Sequence, residues 1–110
     1  MTNIVFEQIA EDAANCQQLA CLRAHVDGRG DLAEGLLTSA IAKAHEDGRS
    51  DDVFVAHCLM LLATVRERKG MGRQVEAHYS GALRIYDLNY GTGHPVVTEL
   101  ALYIYQHYSF

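Results

Sequence analysis

The sequence has no tryptophan, one proline and three cysteines in 110 residues. A single proline leaves helix interiors intact, so the composition favours long helices over strands and turns. Three cysteines are an odd count without a framework spacing, which excludes a disulfide scaffold and fits a reducing, cytoplasmic setting. Long apolar runs are missing too. No window approaches the roughly 18 apolar residues a membrane span needs. The start, Met1-Thr2-Asn3-Ile4, lacks a basic region, and Glu7, Glu11 and Asp12 interrupt any apolar stretch, so no secretory signal is expected. Runs of like charge are absent as well. Arg23, Arg29, Lys43, Arg49, Arg66, Arg68, Lys69, Arg73 and Arg84 are scattered, which leaves no basic stripe for a phosphate backbone and excludes nucleic acid as a partner. Glu46-Asp47 and Asp51-Asp52 are too short to mimic one.

Catalytic patterns are equally sparse. Ser39, Ser50, Ser80 and Ser109 lie in no nucleophile elbow. Gly28-Arg29-Gly30 and Gly70-Met71-Gly72 follow no strand and lack the Gly-Lys-Ser/Thr element, so they read as turns. Glu11-Asp12 and Asp51-Asp52 suit helix starts and solvated faces better than acid–base work. Six histidines (His25, His45, His57, His78, His94 and His107) contain no pair three or four apart. Cys21 and His25 are the one ligand pair at that spacing, and two ligands make no metal site. The chain is expected to be no enzyme, to bind no metal and to need no cofactor.

What is present is an ordinary globular composition, 49% hydrophobic and 21% charged with a formal net charge of -5. It predicts a single domain over 1–110, large enough to bury a core. The chain also repeats itself. A shift of 42 residues lays Gly28 on Gly70, Gly30 on Gly72, Ala33-Glu34 on Val75-Glu76, Leu37 on Tyr79, Ala40-Ile41 on Ala82-Leu83 and Ala44 on Tyr86. A period in the tens of residues marks stacked supersecondary units.

Apolar spacing of three and four predicts five helices. The first runs from Ile4 to Val26 with Val5, Ile9, Ala13, Cys16 and Ala20 on one face, and ends at Gly28, a left-handed cap. The second starts at Asp31, with Glu34 completing a capping box, and buries Leu32, Leu36, Leu37, Ala40, Ile41 and Ala44. The third, capped by Asp51 or Asp52, carries Val55, Cys58, Leu59, Leu62 and Val65. Arg66, Arg68 and Lys69 gather at its end, where the helix dipole favours cations. The fourth carries Val75, Tyr79, Ala82, Leu83, Tyr86 and Tyr90. The fifth opens at Pro95 or Val96 and holds Leu100, Ala101, Ile104 and Tyr108. Cys16 and Cys58 fall one period apart, as small residues at helix interfaces, and Cys21 is expected in the core.

These residues resemble a tetratricopeptide repeat (TPR) array. Ala33, Leu37 and Ala40, and again Val75, Tyr79 and Ala82, stand at that family's second-helix positions. Leu59, Leu62 and Ala63 stand at its first-helix positions. The 42-residue period, with Ala82-Leu83-Arg84-Ile85-Tyr86 and His94-Pro95-Val96-Val97, is similar to the long repeat of kinesin light chains. The resemblance implies an all-α fold, antiparallel helical hairpins stacked as a short right-handed TPR-like solenoid of about two and a half repeats. It departs in the first unit, where Gln17, Ala20 and Cys21 replace the bulky and small signature and Asp52-Val53 replaces His-Pro.

Solenoids of helical pairs mostly make binding surfaces. The implied function is a protein–protein interaction module, an adaptor, chaperone or inhibitor. By family position Gln18, Leu22, His25, His57, Met60, Thr64, Arg68, Leu102 and Gln106 would line a concave groove for a peptide or helix. The aromatic C-terminus is a second candidate. Tyr103, Tyr105, Tyr108 and Phe110 cannot all be buried on one side of one helix, and exposed aromatics mark interfaces. An alternative is therefore a structural homodimer through this C-terminal face. A weaker alternative is a small metal- or cofactor-binding helical bundle.

Overall fold

The computed structural model describes residues 3–70 and 72–108. Among them every regular element is helical: α1 (Asn3–Ala13), α2 (Gln17–Gly28), α3 (Gly30–Glu46), α4 (Val53–Arg68), α5 (Gly72–Tyr90) and α6 (Pro95–Tyr108). Met71 of the predicted break and Phe110 of the predicted interface lie outside the described residues.

There are six helices rather than five, because the segment expected from Ile4 to Val26 is two. The Asn15 amide bonds the Asp12 carbonyl at 3.1 Å and the Cys16 amide the Ala13 carbonyl at 3.3 Å. These i→i+3 bonds tighten and close α1. Cys16 is extended (φ -135°, ψ 104°) and precedes α2. The apolar phase shows the same break. Val5, Ile9 and Ala13 are buried, and the next buried residues are Leu19, Leu22 and Val26. A step of six from Ala13 to Leu19 leaves the helical face. Ala20 and Cys21 are exposed, not core, and Cys16 sits at a helix start while Cys58 is mid-helix and buried. The two cysteines are thus not structurally equivalent.

α2 and α3 are separated by Arg29 alone (φ -140°, ψ 72°). Gly28 is helical, not a left-handed cap, and Asp31 lies in the first turn of α3 rather than before it. The stripe of α3 is narrower than expected: Ala33, Leu37, Ala40 and Ala44 are buried, whereas Leu32 is 45% exposed. The left-handed cap falls at Gly48 (φ 74°). There the Arg49 amide reaches the Ala44 carbonyl and the Gly48 amide that of His45, a Schellman closure that a Cβ would strain.

Asp52 caps α4, accepting from the Phe54 amide at 2.9 Å. α4 is apolar nearly all round, as a central helix must be, and packs on α2, α3 and α5. The His94 ring caps α6, its Nδ1 accepting from the Val96 amide at 3.1 Å, with Pro95 as first helical residue.

The 42-residue period survives folding. α3 and α5 begin at Gly30 and Gly72, and α4 and α6 at Val53 and Pro95, 42 residues apart in both cases. α1 falls outside this pattern. It packs on α2 and also on α6, so the first helix meets the last. The radius of gyration is 13.0 Å with extents of 32 × 29 × 25 Å, about the value of a compact globule of this length.

Candidate functional site

The residues expected to line a concave groove are split by α1. Gln18, Arg68, Leu102 and Gln106 are exposed, and His25 and Thr64 half-buried. Leu22, His57 and Met60 are buried. Leu22 also borders a hollow between α2 and α3, and His57 meets Asp12 of α1. Its stripe of Val5, Ile9 and Ala13 shares one core with Leu22 and Met60. Phe6 meets Arg23 and Val26 of α2 and Leu61, Thr64 and Arg68 of α4 around a cleft of about 250 Å³. At its start, the Ile4 amide donates to both Glu99 carboxylate oxygens of α6 (3.3 and 3.2 Å). The sequence did not show which of these residues the fold would bury.

His57 is the one buried polar or charged side chain among the described residues, 1% exposed. Its Nε2 lies 2.7 Å from Asp12 Oδ2 of α1 and its Nδ1 2.7 Å from Tyr86 Oη of α5. A carboxylate only accepts, so Nε2–H donates to Asp12 and Nδ1 accepts from the Tyr86 hydroxyl. One neutral tautomer satisfies all three groups. Burial lowers the pKa of His57 below 6.5, against the opposing pull of Asp12. Tyr86 stacks on Tyr90 (5.7 Å, 8°) and Tyr90 on His94 (4.5 Å, 24°). The arrangement has the residue types of a proton relay. Tyr86 is fully buried, Asp12 reaches the surface, and the hydrogen bonds tie α1, α4 and α5 together.

At the other end of α4, Glu67 Oε2 accepts from three tyrosines: Tyr79 at 2.8 Å, and Tyr103 and Tyr108 at 3.4 Å. The rings of Tyr103 and Tyr108 pack on Tyr79, with centroids 5.4 and 5.9 Å away. Burial, then the Glu67 charge, raises all three hydroxyl pKa values, that of Tyr108 to about 12. Two residues of the predicted C-terminal interface thus turn inward. Tyr105 points out, 70% exposed, beside Leu102 at 53%.

The open apolar surface lies between α5 and α6. Leu83, Val97, Ala101 and Ile104 line a groove of about 360 Å³ with Ser80, Arg84, Asp87 and Thr92 along its rim. A second hollow of about 320 Å³ continues it. Leu83, Ala101 and Ile104 line both, and Glu76, Tyr105 and Tyr108 complete the second. Sequence reasoning found Tyr105 and Tyr108 here but missed Leu83 and Ala101, which it assigned to core faces. A third hollow, between α2 and α3, is lined by Gln17, Gln18, Cys21 and Leu36 among others.

No group of three or more His, Cys, Asp or Glu side chains converges among the described residues as a metal would need. No helix among them is long and apolar enough to cross a membrane. No family model, curated protein or solved structure matches the chain.

Proposed function

We propose that the chain is a helical-repeat interaction module of the TPR type that binds another protein through the face of α5 and α6. The observation that carries the reading is the open groove of Leu83, Val97, Ala101 and Ile104 between α5 and α6. A solenoid reading is supported by the equal spacing of α3 to α5 and α4 to α6. A binding rather than enzymatic role is supported by the burial of His57 and Tyr86. A cytoplasmic setting is supported by three unpaired thiols.

The test is photo-crosslinking in the native cell extract, with the photoreactive residue at position 105 and, as reference, at Thr38 on α3. An adduct specific to position 105 and lost with Ile104→Asp supports the reading. Equal adducts from both positions, or none from 105, overturns it.

A second reading is a homodimer through the same face, favoured by the exposure of Leu102 and Tyr105 on one helix. A concentration series by size-exclusion chromatography with light scattering separates the two. A dimer broken by Tyr105→Glu supports self-association, and a monomer throughout rejects it.

A further inference from the structure

One period before α6, α4 is covered by a helix of the chain itself. α5 packs along α4. It runs antiparallel to α4: His78 Nε2 is 2.6 Å from Arg66 Nη1 and the Asn89 amide donates to the Asp51 carbonyl at 2.8 Å. Between these ends, Gly81 faces Leu59 so closely that a Cβ there would come within 3.3 Å of Leu59 Cδ1. Leu59 and Arg66 of α4 thus face α5. Advanced by 42 residues, these become Ala101 and Tyr108. Both line the open hollow, with Glu76, Leu83, Ile104 and Tyr105.

Resting on the interaction reading above, we propose that the α5–α6 groove takes one amphipathic helix of a partner protein, patterned like α5 and antiparallel to α6, with a large apolar residue where α5 has Gly81. The size of that residue follows from the one substitution that matters at the crossing. α4 presents Leu59, whose Cδ1 would lie 3.3 Å from a Cβ at position 81, so glycine passes there with the least displacement. α6 presents Ala101 instead, which leaves room for the several carbons that Gly81 lacks. Close-packed interiors leave no void of that size unfilled without loss. A leucine or methionine on the incoming helix fills it.

The probe is a synthetic peptide of residues 72–90, held helical by a lactam bridge between exposed positions 73 and 77 and labelled at its amino end. Binding to the full chain is read by fluorescence anisotropy. The Gly81→Leu peptide is expected to bind at least about tenfold tighter than the Gly81 peptide, the effect of filling a cavity of this size. Ala101→Leu in the chain restores the Leu59–Gly81 pairing and is expected to invert that preference. Ile104→Asp is expected to abolish binding of both peptides, with circular dichroism checking that the fold is kept. The inference is overturned if neither peptide binds, if the preference fails to invert, or if the chain dimerises through this face and excludes the peptide. Its failure beside a specific adduct at position 105 leaves the interaction reading standing with a different occupant.

Discussion

The two faces of α4 and α6 differ in what covers them. On one side, Leu22 of α2 and His57 and Met60 of α4 are buried in the core that α1 shares. On the other, Ala101, Ile104 and Tyr105 line an open hollow, and Ala101 stands 42 residues after Leu59, which faces α5. An amphipathic stripe demands burial but does not say by what. The same stripe becomes core in one place and a surface groove in the other.

The largest expected effect is on the filled side. Ile9 is fully buried, so Ile9→Ala should cost about 2–5 kcal/mol in denaturant unfolding. Ile104 is half-buried at the rim of an open hollow, and Ile104→Ala should cost less than half as much. Equal losses would mean that the two faces are not filled and open as described. The next effect is at the buried relay. Tyr86→Phe removes the donor to His57 Nδ1 and should cost about 1–3 kcal/mol, the usual range for an orphaned buried acceptor. Tyr105→Phe, at an exposed ring, should be silent in the same assay.

The filled side should also respond to pH, and the open side should not. Burial, the larger cause, lowers the pKa of His57 below 6.5, and burial followed by the Arg66 charge lowers that of His78. A histidine with a depressed folded pKa binds its proton more readily in the unfolded chain. Its contribution is therefore complete above about pH 6.5 and is lost as the pH falls from there through the lowered folded values. Unfolding midpoints measured between about pH 8 and about pH 5 should decline on the acid side. His78→Gln should flatten part of that decline, and a profile without slope would remove His57 as a neutral buried link.

Much of this was legible in the residues, and the losses have physical causes. The period, a cap at Asp51 or Asp52, a helix start at Pro95 or Val96 and part of the stripes of α3 and α5 are local, and they are found where spacing places them. The break at Asn15 was local too. The step from Ala13 to Leu19 records it, but Cys16 and Ala20 continue the earlier phase and mask it. The fate of His57 was not legible. Its partners Asp12 and Tyr86 lie 45 and 29 residues away, and only the packing of α1 and α5 about α4 joins them. Tyr103 and Tyr108 turned inward for a similar reason, since the carboxylate that gathers them, Glu67, sits on another helix.

The smallest expected effect on stability is at Tyr105, and it is the most telling for the open side. Its ring is 70% exposed and makes none of the ring contacts that hold Tyr103 and Tyr108 to Tyr79. Tyr105→Glu should change unfolding free energy by no more than about 0.5 kcal/mol, as a surface change away from special features does. The same charge lies at the edge of the hollow beside Ala101 and Ile104, where a docking helix would bury it. A buried, unpaired carboxylate opposes binding by several kcal/mol in rough terms. The variant should therefore fold like the parent and lose the helix peptide. A variant that keeps the peptide would move the docked helix away from Tyr105, toward Val97 and Thr92.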